Sequence, residues 1–317
     1  MSTTPAAAPV FAASDDRWHF AQLGDDWWAT ETAWFSFHHK ERRLGGWFYT
    51  MARPNIGTLA GGAWVWDASA HLPWEVPYCA NYTALQLPRD QDLDDCRLPN
   101  GVGIRALEPG QRYALEYADA PRFSAQLEFA GVMPPTPLTA AGSTFGAARH
   151  FDQLGHVTGV IELHGERLVI DCFAMRDRTW GRRPEHRPRQ AAYVTGAAGA
   201  DCAFLAVLNS RGGESGAAHG FLRRDGVTLP LAAGSREVER DGRNGWVTSV
   251  RMRLRDAGGR QMLATGVPVS RIIINRHTFI DINSLLCWQI DDIEGWGEDQ
   301  DMWPVHAFAR RTAGTRG

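Results

Sequence analysis

The run Arg176, Asp177, Arg178, Thr179, Trp180, Gly181 sets one carboxylate between two guanidinium groups and beside an indole. An aspartate donates a proton only while neutral, and an apolar enclosure that desolvates its anion supplies that condition by raising its pKa. The segment ahead of it reads as a hairpin: Val157 to Leu163, a turn at His164 and Gly165, then Arg167 to Met175, with Asp177 expected just past the strand's end. Strand side chains alternate, which puts Asp177 on one face with Phe173, Met175 and Thr179 and turns Arg176 and Arg178 to the other. Two readings stay open. Facing an aromatic cavity, Asp177 is a proton donor; at a bent strand end, either arginine reaches it and the pair is structural.

Histidines are the other source of acid–base chemistry, and the candidates are His38, His39, His150, His156, His277 and His306. None stands in a His-x-His or His-Glu-x-x-His pattern, so metal spacing is missing. His150 is singled out, because His150-Phe-Asp-Gln lies just before the hairpin that delivers Asp177 and a sheet can set the two side by side. Carboxylates crowd the closing segment, Asp291 to Trp303, but not at calcium-loop offsets. Its acids, Asp299 and Asp301 among them, are expected to pair with Arg176, Arg178 or Arg182 and so bring Trp180, Trp296 and Trp303 together. With Met175 and Phe173 these tryptophans form the expected apolar lining around Asp177. No Gly-x-Ser-x-Gly elbow, phosphate loop or dinucleotide fingerprint occurs.

The elements that must position these groups read as β-strands. Short β-branched and aromatic runs recur from Ala33 to Ile274, punctuated by Asp225-Gly226, Asp241-Gly242, Asn244-Gly245 and Gly258-Gly259, the chemistry of tight hairpins. The fold class expected is all-β, two antiparallel barrels or sandwiches packed together. The Pro-rich stretch Ala130 to Gly146 interrupts the rhythm, giving a disordered lead-in over 1–14, one domain over 15–145 and a second over 146–317.

Composition limits the partners. A formal net charge of −3 and a single lysine, Lys40, argue against nucleic acid or an anionic membrane surface. Five scattered cysteines form neither a disulfide framework nor a zinc ribbon and fit reduced thiols in the cytoplasm. No stretch of about 18 apolar residues suggests stable membrane insertion, and no signal peptide is expected at the start. Thirteen tryptophans point to an aromatic-lined interior and an apolar small-molecule partner; a homo-oligomer is left open.

The order His150-Phe-Asp-Gln, Gly155-His-Val-Thr-Gly, Arg176-Asp-Arg-Thr-Trp-Gly and Gly295-Trp-Gly-Glu-Asp-Gln-Asp resembles a bacterial branch of the lipocalin-like superfamily, most strongly over residues 146–303. That superfamily holds the carotenoid 1,2-hydratases, AttH-like proteins, kievitone hydratase and fungal Diels-Alderase relatives. The resemblance implies a double lipocalin-like fold, an apolar cavity at or between the lobes, and no metal or organic cofactor. In the hydratases an Asp within an Asp-His-Asn-x-Gly type run protonates an alkene, and Asp177 matches it; His150 stands as the equivalent of a site histidine on an earlier strand. Arg178, Thr179 and Met175 depart from the hydratase pattern, which has His and Asn after the acid and an aromatic hydroxyl two residues before it. A hydratase or dehydratase of an isoprenoid-, steroid- or aromatic-like alkene is therefore the leading expectation, beside a non-catalytic hydrophobic-ligand binder and a cyclase or pericyclase.

Overall fold

The computed structural model describes residues 11–137, 148–184, 190–211, 214–276 and 278–314. The first lobe contains β1 (Ala29–His39), β2 (Leu44–Arg53), β3 (Thr58–Trp66), β4 (Tyr78–Gln86), β5 (Asp95–Arg97), β6 (Val102–Glu108), β7 (Arg112–Asp119), β8 (Phe123–Gly131), β9 (Thr136–Pro137), β10 (Arg149–Leu163) and β11 (Glu166–Arg182). They form one 11-stranded sheet ordered β4-β3-β2-β1-β11-β10-β8-β7-β6-β5, with β9 beside β10. This sheet curls on itself: Tyr78 of β4 reaches Tyr117 of β7, their hydroxyls 3.0 Å apart. The second lobe contains β12 (Ala191–Ala197), β13 (Ala203–Arg211), β14 (Glu214–Arg224), β15 (Val227–Arg240), β16 (Val247–Asp256), β17 (Gln261–Arg276), β18 (Phe279–Ile290) and β19 (Ile293–Pro304), a closed barrel, followed by the helix α1 (Val305–Gly314).

Turn chemistry explains the hairpins. His164 and Gly165 adopt φ of 51° and 82°, and Asp225 and Gly226 adopt 52° and 74°, the left-handed pair a two-residue hairpin demands. Barrel closure rests on a close approach of β12 and β19, where a Cβ on Gly297 would sit 2.1 Å from the Thr195 carbonyl oxygen. The glycines of Gly295-Trp-Gly are thus steric requirements of closure.

Alternation sorts the first sheet into two faces. Phe35, Phe37, Cys172, Ala174 and their neighbours fill the inside of the curl, whereas Trp34, Trp47, Tyr49, Trp64, Leu154 and Met175 face the barrel and pack with its Tyr193, Leu205, Phe221 and Ile272. Each such buried side chain contributes roughly 1.5–3 kcal/mol, so the seam between lobes is a core in its own right. Polar contacts cross it too: Trp47 Nε1 donates to Glu298 Oε2 at 2.7 Å, and Arg223 donates to the Val132 carbonyl at 3.0 Å.

The domain boundary differs from the expected one. Residue 145 lies outside the described residues, but β10 and β11, assigned to the second half by the sequence, are interior strands of the first sheet. The chain changes lobe between Arg182 and Ala191. Of the lead-in expected over 1–14, residues 1–10 are outside the described set; Phe11 packs edge-on against Phe151, and Ala13–Asp16 form a 3-10 turn with Asp15 and Asp16 buried. No described helix is long and apolar enough to cross a membrane.

Candidate active site

Strand register builds the site. Asp177 pairs with Trp34 of β1 on one side and Asp152 of β10 on the other, and Trp34 pairs in turn with Tyr49 of β2. One row across the barrel-facing side therefore reads Tyr49, Trp34, Asp177, Asp152. The next row sets Thr179 opposite His150.

Two carboxylates opposite each other on a buried face repel, and the structure separates their roles. Asp152 is fully hydrogen-bonded: Oδ1 accepts from His150 Nε2 at 3.0 Å and Tyr193 Oη at 2.5 Å, and Oδ2 from His219 Nε2 at 2.8 Å. Burial alone would raise its pKa, but the two imidazoles pull it well below the ordinary carboxylate range. Asp177 has no such company. Burial pushes it up to about 6, against the lowering influence of His150, Arg183 and Arg276, and Asp152 adds to the rise. Its Oδ1 is buried without a hydrogen-bond partner among the described residues.

His150 completes the arrangement. Its Nδ1 lies 2.8 Å from Thr179 Oγ1 while Nε2 donates to Asp152, so both ring nitrogens are fixed. Burial opposes its charge, yet Asp152 and Asp177 raise its pKa overall. Tyr193 stays a neutral donor because burial lifts its phenol far above the usual value. The ligand atoms of His150, Asp152 and His219 lie within 4.8 Å of one another. Two imidazoles and a carboxylate at that spacing could hold a metal ion; here both Nε2 atoms are engaged by Asp152.

The expected residues fall into three groups. Asp177 and His150 do share a face beside each other, with Met175 adjacent and Asp177 inside β11 rather than past its end. Phe173, Met175 and Trp296 converge on a small pocket that also takes in Ser36, His38 and Glu298. There burial lowers His38 to about 4 and lifts Glu298 to about 8, leaving both uncharged at neutral pH. Trp180 and Trp303 lie elsewhere. Trp180 occupies the opposite face of β11, stacked on His19 at 4.5 Å, and Trp303 donates to Asp301 in the barrel at 3.0 Å.

The expected ion pairs also need correcting. Arg176 pairs with Asp16 at 3.3 Å, Arg178 with Glu31, and Arg182 with Asp26 at 2.8 Å, tying the N-terminal segment and β1 to β11. Asp299 takes a two-pronged bond from Arg236 at 2.8 and 2.7 Å, and Asp301 pairs with Arg240 at 2.7 Å. Neither arginine of the motif touches Asp177 or the closing acids, because alternation turns both away. Of the other histidines, His277 lies outside the described residues, and His156 pairs with Asp171 at the surface.

Asp152, Tyr193 and His219 join the site beyond the residues the sequence patterns single out. Asp152 was legible, since a two-residue spacing in a strand puts it on the face of His150. Tyr193 and His219 reach the site only through closure of the barrel, which no local pattern encodes.

A curled antiparallel sheet and a closed eight-stranded barrel, packed over a buried acid, make a two-lobed lipocalin-like fold. The chain belongs to the family described as "Domain of unknown function (DUF7064)", whose profile matches residues 12–300. Among curated proteins none matches it. Its fold is that of an AttH-type protein from Nitrosomonas europaea, with TM-score 0.56 and 14% identity over 96% of this chain and 98% of that one. CghA in complex with Sch210972 gives TM-score 0.56 and 13% identity over 86% and 87% of the two chains. Kievitone hydratase from Nectria haematococca gives 0.56 and 12% over 96% of each.

Proposed function

We propose that this protein is a hydro-lyase that adds water to, or eliminates it to form, a carbon–carbon double bond of an apolar isoprenoid-, steroid- or aromatic-like substrate, with Asp177 as the proton donor. The observation that carries the reading is a buried, raised carboxyl with an unpartnered oxygen, set in a seam of tryptophan, tyrosine and methionine. A hydratase among the proteins sharing this fold is consistent with it.

In the hydration direction, the Asp177 proton moves to one alkene carbon and leaves a cationic centre at the other. The neighbouring Trp34 face, itself held edge-on by Trp47 and Tyr193, stabilises that charge. The carboxylate left on Asp177 is stabilised by the positive character that Asp152 confers on His150. Water oxygen bonds the cationic carbon, and its surplus proton returns to Asp177, so the site is restored. Elimination is the reverse.

The test is incubation with alkene panels in ²H₂O and H₂¹⁸O, read by mass spectrometry. Asp177→Asn is expected to bind ligand, seen in tryptophan fluorescence, while losing label incorporation by a factor of about 10² or more. Equal incorporation by the Asn variant contradicts the proposal.

A further inference from the structure

His150 and Asp152 stand two apart on β10, so one face of that strand carries both, and His219 comes to them from β14 of the other lobe. All three are buried, with ring nitrogens and carboxylate oxygens within 4.8 Å of one another. His150 Nε2 is 3.0 Å from Asp152 Oδ1 and His219 Nε2 is 2.8 Å from Oδ2. Donors around a tetrahedral zinc ion, with bonds near 2.0–2.1 Å, sit roughly 3.3 Å apart, so a small outward shift admits an ion in place of the two hydrogen bonds. His150 is braced for that exchange. Its Nδ1 lies 2.8 Å from Thr179 Oγ1, and moving the ring proton to Nδ1, where Thr179 accepts it, frees the Nε2 lone pair.

The neighbouring strand adds an independent observation. Asp177 pairs in register with Asp152, so two carboxylates face each other on one buried face, and Asp177 Oδ1 is buried with no hydrogen-bond partner among the described residues. Like charges directly opposite are destabilising. A cation between them removes the repulsion and gives the orphan oxygen a partner. The arginines on either side of Asp177 in sequence do not serve, since they pair with Asp16 and Glu31 on the other face.

The donor set selects the ion. Imidazoles together with carboxylates suit zinc and its first-row neighbours, whereas calcium and magnesium favour oxygen ligands alone. One divalent charge against two carboxylates leaves no buried charge uncompensated. We propose that His150, Asp152 and His219 form a divalent transition-metal site of the zinc type, with Asp177 as the fourth donor. Where the resemblance implies no metal, this cluster points to one; local spacing hides it, because the third ligand lies 67 residues beyond Asp152. Binding is independent of the hydro-lyase reading: Asp177 donates its proton in the metal-free protein, and an ion that takes its carboxylate holds that reaction off. With ligands from both lobes, the ion also fastens them together.

The experiment is a titration of EDTA-treated wild type with Co²⁺ at pH 7.5, read by visible absorption, then displacement by Zn²⁺. One equivalent of Co²⁺ is expected to give the intense d–d bands of a four-coordinate ion, and zinc to bleach them. Zinc at about a hundredfold over its Kd is expected to raise Tm by about 5 °C. His219→Gln and, separately, Asp152→Asn are expected to lose both the bands and the rise while keeping the wild-type circular dichroism. Thr179→Val, which keeps all four donors and removes the brace, is expected to bind Co²⁺ about 10- to 100-fold more weakly. Weak six-coordinate bands, no Tm rise in wild type, or bands that persist in both ligand variants overturns the inference; should those variants not fold, unchanged affinity in Thr179→Val overturns it. The label assay is run with EDTA and again with saturating zinc. Incorporation that zinc abolishes supports both readings, and incorporation that survives zinc overturns this one. Four-coordinate binding with no incorporation in either state overturns the hydro-lyase reading alone.

Discussion

Replacing Asp177 with asparagine should make the folded protein more stable at neutral pH. The carboxyl titrates at about 6 in the folded chain, roughly two units above the ~3.9 of a free aspartate. At about 1.4 kcal/mol per unit, ionising it in the folded state costs about 3 kcal/mol relative to the unfolded chain. The direction follows from the folded value being the higher one. Stability attached to the group is intact below the unfolded value near pH 4, and is lost as pH rises through about 6. Asparagine mimics the neutral acid in shape and never ionises. Asp177→Asn and wild type should therefore unfold alike in urea at pH 4, while at pH 8 the variant gains up to about 3 kcal/mol, visible as a higher midpoint at unchanged slope. An ion-paired Asp177 behaves the opposite way, since losing the charge would strip a partner from a buried arginine. A variant equal to or weaker than wild type at pH 8 refutes the assignment of Asp177 as a neutral donor.

The same physics yields further expectations. Glu298→Gln should leave stability at pH 7 unchanged or slightly improved, because burial already keeps this side chain protonated up to about 8; urea unfolding at pH 7 and 9 checks it. Arg236→Met should cost about 3–5 kcal/mol by leaving the buried Asp299 uncompensated, and adding Asp299→Asn should recover most of that in the same assay. Asp152→Asn should lower turnover by about 10²–10⁴-fold with little change in ligand affinity, because it releases both imidazoles and leaves the apolar walls of the seam in place. On any alkene found to react, kcat/KM in the hydration direction should fall as pH rises through about 6, the limb on which free Asp177 loses its proton.

What the sequence disclosed is what a period of two can encode. The faces of β11 were legible from Phe173 to Thr179, as were the left-handed turns at His164-Gly165 and Asp225-Gly226. The partners of Arg176 and Arg178 were not, because Asp16 and Glu31 lie 160 and 147 residues away and meet them through sheet order alone. Charge type alone matches both arginines to the acidic closing segment, whose aspartates are instead neutralised within the barrel by Arg236 and Arg240. The domain boundary was misplaced for a related reason: a proline-rich break marks an interruption of strand rhythm, and here the chain resumes the same sheet after it. His219 and Tyr193 stand on β14 and β12, and only the closed barrel folds them onto Asp152.

The most direct measurement is a ¹³C NMR titration of the aspartate carboxyl carbons in wild type, with Asp177→Asn identifying the missing resonance. A proton donor waiting in an apolar seam titrates near pH 6. A resonance that titrates below pH 4 contradicts the account of Asp177 as an acid kept protonated by burial.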